Sequence, residues 1–378
     1  MFRKLLIAIT LLSLGTGLIA AQQPEGAWWY TLERGKLHFR NGSYGDALMA
    51  FEDARRERLA QFSRMESDMI LLLSNPNVRF LGDSLEYIER YISDNHEDRA
   101  AAALAELYHR IPPEALGGSA KKALSELDRQ KSYPEAEYWL GEIYRAEGEL
   151  SLALRQYQRA WDCRALLENP EFDSEILYKI SEVHRIRREY QEMEKRTLEI
   201  IEGLGPLGNP RDSMWMGDGR SLTRTAMARV MENEGIDRFL TLYRYNNLVT
   251  ERAHRLLGFF YYSSNRYSLA AEHLMFSFLI QNTAILEEGA RSRFDFAYSS
   301  LGDLERYALS RPAMAAYLGD CEYYRTIYYL ASSLYAGGKT RPATQLWAFL
   351  ASSGNAGEWG RRAARTPVPS LDRAIEMP

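Results

Sequence analysis

Apolar residues along this chain recur every three to four positions, not every two. In residues 35–54, GKLHFRNGSYGDALMAFEDA, the residues Gly35, Gly42, Tyr44, Ala47, Phe51 and Ala54 stand at relative spacings 0, 7, 9, 12, 16 and 19. The positions after Gly42 follow one face of a helix, and Gly42 stands where a helix must end in a left-handed turn. Residues 141–160 repeat the order with Gly141, Gly148, Leu150, Ala153, Tyr157 and Ala160. Residues 258–277 carry Gly258, Asn265, Tyr267, Ala270, Leu274 and Ser277, and residues 331–350 carry Ala331, Gly338, Thr340, Ala343, Trp347 and Leu350. Each segment predicts a helical hairpin whose first helix offers a small residue to the second.

Weaker copies fill the intervals. Residues 177–200 keep Ile180, Ser181 and Tyr190 with Met193 at the second-helix small position, and 220–246 and 291–318 fit with Met227 and Asp295 at small positions. Between the first two strong copies the pattern predicts two degenerate units, with helices at 66–74, 80–93, 97–110 and 114–130. That makes roughly eight hairpins at a period typical of helical arrays. No sustained alternation suggests strands, and only 13 prolines occur, as helices require. The rhythm breaks at 165–174 and at 203–219.

At Leu140, Gly141, Tyr144, Gly148, Ala153, Tyr157 and Ala160 the chain resembles the tetratricopeptide repeat (TPR) family. It departs at Arg34, where the family prefers Leu, and at Ala331, where it prefers Gly. The resemblance implies an all-α, right-handed superhelical solenoid of antiparallel helix pairs. It places an N-terminal array at 22–202, a joint at 203–219, a C-terminal array at 220–353 and a tail at 354–378. In this family, partners lie in a concave groove lined by first helices. The matching positions here are Tyr138, Glu142 and Arg145; Tyr178, Glu182 and Arg185; Arg252, Arg255, Phe259 and Tyr262; and Arg325, Tyr328 and Tyr335. Arg and aromatic residues recur among them, the types that dominate binding hot spots.

Residues 1–21 follow a different logic. Arg3 and Lys4 precede an apolar run from Leu5 to Ile19, and small Ala20 and Ala21 precede polar Gln22. This is the order of a secretory signal, and the run is short for a bilayer crossing. The expectation is export to the periplasm, or an inner-membrane N-terminal anchor if the signal stays uncleaved, with no membrane span after its removal. Without Arg3 and Lys4 the chain has 45 basic against 51 acidic residues. That balance argues against nucleic acid as partner.

Candidate chemistry is thin. GLGPLG at 203–208 matches G-x-G-x-x-G in letters only, because a helix precedes it and Pro206 and Pro210 follow. The histidines 38, 96, 109, 184, 254 and 273 form no metal-binding pair at motif spacing, and His38, His184 and His254 occupy first-helix positions that predict packing. Cys163 and Cys321 lie too many repeats apart to predict a disulfide between them. The charge runs 53–58 and 185–189 read as solvated faces. The expectation is therefore a non-enzymatic scaffold that needs no cofactor or metal and binds a protein or peptide in the cell envelope. Two alternatives stay open: an envelope transport or assembly component that binds small apolar ligands or cargo, marked by a closed apolar pore, and a helical-array enzyme of glycan processing, marked by an acid in a deep groove.

Overall fold

In the computed structural model the chain folds as helices joined by turns of one recurring geometry. The structure describes residues 27–73, 81–94, 118–202, 235–242, 247–293 and 295–365, with short pieces at 96, 99–100, 103, 214–215, 221–222 and 231–233. These are almost entirely α-helical; Arg164–Leu166 forms a 3-10 turn, and β1 (Met214–Trp215) pairs antiparallel with β2 (Ser221–Leu222). The expected signal at 1–21, Met227, and all of the expected joint except Met214 and Trp215 lie outside the described residues. The chain divides into two compact units between Ile176 and Leu177, and each is taken by itself.

The first unit opens with α1 (Trp28–Arg40) and α2 (Tyr44–Leu73). After α3 (Leu81–Ser93) and α4 (Gly118–Gln130) come α5 (Pro134–Ala146) and α6 (Leu150–Asp162). Gly42 and Gly148 take positive φ, 74° and 82°, where a side chain would be strained. Each turn closes with the same pair of bonds: Ser43 N to His38 O and Gly42 N to Phe39 O, then Glu149 N to Tyr144 O and Gly148 N to Arg145 O. This is the Schellman arrangement, which satisfies carbonyls left over at a helix end. The small residues allow close approach: a Cβ on Gly35 would stand 2.5 Å from the Phe51 ring, and one on Gly141 2.6 Å from Tyr157.

One core cluster ties Leu32 of α1 and Ala47, Phe51 and Ala54 of α2 to Tyr133 and to Ala136, Leu140 and Ile143 of α5. The first two strong copies are thus neighbours in space, which corrects the expectation of two degenerate units stacked between them. The reason lies in α2. No Gly or Pro follows Gly45 until Pro76, so the helix runs on to Leu73 instead of ending near 60. The expected helix at 66–74 is its last two turns; those at 80–93 and 114–130 are α3 and α4, and 97–110 lies mostly outside the described residues. Past the core, α2 meets α4 and the residues after it, with Lys131 bridging Glu66 at 2.7 Å and Asp128 at 2.9 Å. Arg58 departs from the expected solvated face. It is buried, its guanidinium over the rings of Trp28 and Tyr133 at 4.6 and 4.8 Å, and it donates to Gln130 O; burial holds it below its ordinary value.

A further helix, α7 (Phe172–Ile186), carries the division between the units. The second unit continues with α8 (Tyr190–Glu202), α9 (Ile236–Leu242), α10 (Leu248–Ser263) and α11 (Tyr267–Ser292). It ends with α12 (Leu301–Leu309), α13 (Pro312–Asp320), α14 (Tyr323–Ala336), α15 (Thr340–Ser352) and α16 (Gly357–Ala364). The same turn joins α7 to α8 at Arg188, α10 to α11 at Asn265 and α14 to α15 at Gly338, with φ of 62°, 59° and 80°. The i to i−5 bond recurs in all three: Glu189 N to His184 O, Arg266 N to Tyr261 O, and Lys339 N to Leu334 O.

Within this unit α8 packs on α10, and α11 packs on α14. Residues 291–318, expected as another hairpin copy, instead form the end of α11 and the short helices α12 and α13. Asp295, expected at a small inward position, lies in an exposed turn, where a carboxylate keeps its water. α11 is apolar nearly all round and correspondingly buried; it is long and apolar enough to cross a bilayer, a property shared by the core helices of soluble proteins. Part of the expected tail is also structured: α16 covers α15, with Trp359 against Tyr328 and Tyr329 at 5.4 and 5.6 Å.

Candidate partner-binding face

The candidate residues stand on first helices at i, i+3, i+4 and i+7 spacings, so each helix gathers its own onto one side. In the first unit Tyr138, Glu142 and Arg145 share a side of α5. Tyr138 is buried among Tyr157 and Phe172 at ring distances of 5.7 and 4.8 Å. Glu142 is buried too; it accepts a hydrogen bond from the Tyr157 hydroxyl and pairs with Arg145 at 3.1 Å. Burial and then the Glu142 charge push the Tyr157 phenol far above its ordinary value. Arg145, with a third of its side chain exposed, is the outer member of this chain of contacts.

In the second unit the face alternates rings and guanidinium groups. Arg252 lies over the buried Tyr178 ring at 4.6 Å, and Arg325 over the Phe259 ring at 4.5 Å. Arg255 reaches Glu251 at 3.2 Å and Glu322 at 2.7 Å, and Arg325 reaches Glu322 at 2.6 Å. Burial alone would lower Arg255, but the carboxylates of Glu251 and Glu322 outweigh it and hold the guanidinium above its ordinary value. Glu182 pairs with Lys179 at 3.6 Å, and Arg185 is half-buried beside it on α7.

The aromatic members are placed differently from the arginines. Phe259 and Tyr262 are each 2% exposed and Tyr328 3%. Tyr262 packs against Tyr267 and Tyr329, and Tyr328 against Tyr329 and Trp359. Tyr335, half-buried against Trp347 at 5.4 Å, keeps an accessible edge. Of the arginines, Arg252 and Arg325 lie over packed rings, Arg255 and Arg325 keep only 12% and 14% of their side chains exposed, and Arg185 is half-buried on α7.

Sequence reasoning found the arginines but missed the acids that position them. Glu251 is 2% exposed and accepts from Ser277 and from Gln281, both at 2.8 Å. Gln281 also donates to Cys321 O at 2.8 Å, joining α10, α11 and the turn before α14. Glu322 lies outside every helix pattern, at a φ of 48°, so spacing could not place it. The one available signal was Glu251 four residues before Arg255, an ion-pair spacing on a helix.

His254 and His273, both buried, approach Nδ1 to Nδ1 at 2.9 Å, with His254 stacked on Phe276. His38 and His184 are half-buried, and the two cysteines are free thiols. Among the described residues no group of three or more His, Cys, Asp or Glu is placed to hold a metal.

No family model matches the chain. It is similar to an uncharacterized protein of Treponema pallidum (strain Nichols), 25% identical over 336 residues that cover 89% of this chain and 88% of that protein.

Proposed function

We propose that this chain is a non-enzymatic interaction scaffold of the bacterial periplasm or cell envelope, built as a TPR-like array that binds a protein or peptide along its first helices. What carries the reading is recurrence. The same left-handed turn with the same i to i−5 bond closes hairpins at Gly42, Gly148, Arg188, Asn265 and Gly338. A small residue backs onto a large one sixteen positions later at Gly35 and Phe51, Gly141 and Tyr157, and Gly258 and Leu274. Hairpins of this kind cannot bury both faces alone, so they stack and leave first helices lining one side. The charged and apolar order of residues 3–21 supports export.

These arginines suit a partner that brings carboxylates or backbone carbonyls, because a ring orients Arg252 and acids orient Arg255 and Arg325. The test is capture from envelope extracts with protein recovered from its own host, whose N-terminus by mass should lie near Gln22. Arg185→Ala with Arg252→Ala should weaken capture by about tenfold or more while leaving the melting temperature within a few degrees. Equal capture by the wild type and this variant would sink the first-helix assignment.

A further inference from the structure

In the register of the repeat, Gly35 matches Gly141, so Tyr30, Arg34 and Leu37 of α1 match Ala136, Leu140 and Ile143 of α5. Those three are fully buried against Ala47, Phe51 and Ala54 of α2. The same positions are fully buried in α14, as Thr326, Leu330 and Ser333. In α10, Ala253 and Leu257 are fully buried and Phe260 half-buried. This is the side on which one hairpin stacks upon the hairpin before it. In α1 nothing among the described residues covers it: Tyr30 is 61% exposed, Leu37 55%, and Trp29 beside them 54%.

The last of the described helices is finished differently. α16 closes the outer side of α15, Gly360 lying so close that a Cβ would meet Leu350 O at 2.8 Å, while Glu358 and Arg361 face solvent. A polar closing helix of this kind is what ends a stack. Among the described residues α16 of a second copy offers α1 no bare apolar side, which argues against head-to-tail growth.

The stripe complements itself instead. Trp29, Tyr30, Glu33, Arg34 and Leu37 are all exposed along one side of α1. Two such helices laid antiparallel about an axis between positions 33 and 34 set Tyr30 of each against Leu37 of the other. The same pairing sets Arg34 of each against Glu33 of the other, whose carboxylate also takes Lys36 of its own helix at 2.6 Å. Arg34 stands where the later first helices carry Leu140, Ile180, Leu257 and Leu330. A buried stacking helix would leave that charge without a partner, whereas a second copy supplies one. We propose that two copies of this chain associate through this face of α1 in a two-fold, self-complementary contact.

The experiment is sedimentation of the detergent-free exported protein over a concentration series. A reversible monomer–dimer equilibrium is expected. Tyr30→Lys with Leu37→Lys should weaken it by about tenfold or more, since it removes the apolar centre. Arg34→Glu alone should weaken it several-fold, and adding Glu33→Arg should restore it, because the swapped pair re-forms across the axis. All four side chains are exposed, and circular dichroism with a melting curve confirms that each variant stays folded. A wild type that remains monomeric throughout overturns the proposal, as does a dimer that survives the double lysine variant or a charge swap that restores nothing. Monomers that co-sediment with phosphatidylcholine–phosphatidylglycerol vesicles through Trp29 and Tyr30 overturn it in favour of a lipid surface.

Discussion

Glu135 stands in the first turn of α5, where its Oε1 accepts from Glu168 N at 2.9 Å and its Oε2 is buried without a hydrogen-bond partner. Burial raises this carboxyl above its ordinary value, against the pull of Arg58 and of backbone donors. A raised acid binds its proton more readily in the folded than in the unfolded state. The folded state therefore holds more protons between the ordinary carboxylate range, about pH 4, and the raised folded value, and stability falls as pH rises through that window. Glu135→Gln cannot titrate. Urea unfolding of both proteins at several pH values should show the wild type losing stability relative to the variant as pH rises from about 4. A constant difference across that range would mean that burial does not govern this carboxyl. At this scale legibility was uneven. Helical spacing put Arg252, Arg255 and Arg325 on their face, yet it could not show that Phe259, Tyr262 and Tyr328 turn inward. Spacing reports the side of a helix, and two sides of a first helix are apolar when neighbours cover both.

At the scale of elements, the left-handed turn residue is the feature most plainly written in the sequence. Gly42, Gly148, Asn265 and Gly338 were all legible because few residue types tolerate that backbone, and all four adopt it. Arg188 shows the limit: it takes φ of 62° with no residue-type signal, held by the bonds around it. Arg188→Gly should stabilise the fold by about 0.5–1 kcal/mol, strain relief exceeding the added freedom of the unfolded chain. Glu322 also has positive φ, but its carboxylate holds Arg255 and Arg325. Glu322→Gly relieves the same strain and loses both charged contacts, so it should destabilise by about 2 kcal/mol. Chemical denaturation of the two variants reads opposite signs; the same sign for both would refute the role given to Glu322. The helices between hairpins were less legible. The length of α2 follows from missing breakers, whereas Ser300 caps the short α12 and Pro312 starts the short α13, and apolar periodicity over nine residues cannot separate either from a hairpin arm.

At the scale of the whole molecule, the all-helical class followed from periodicity, and the structure shows it in both units. The closing helix of the second unit is the place to test how its end is held. Trp359 is half-buried against Tyr328 and Tyr329, with Arg362 over its ring at 4.8 Å. Trp359→Ala should cost about 2–3 kcal/mol in urea unfolding, below the range for a fully buried Trp. Retained stability of the Trp359→Ala variant would mean that α16 does not hold this end of the unit.

The adjacency of α2 and α5 also bears on how the chain comes together. Their hairpins touch although residues 74–133 lie between them. A compact tandem array would bridge the same contact with a turn of a few residues. Closing a loop about twentyfold longer costs roughly 2–3 kcal/mol more chain entropy, by the logarithmic law for loop closure. The same holds for α8 with α10 and for α11 with α14, each pair separated by an intervening stretch. Each hairpin is cheap to form locally and expensive to dock. Lengthening the chain between such pairs raises the sequence separation of native contacts, and folding slows as that separation grows.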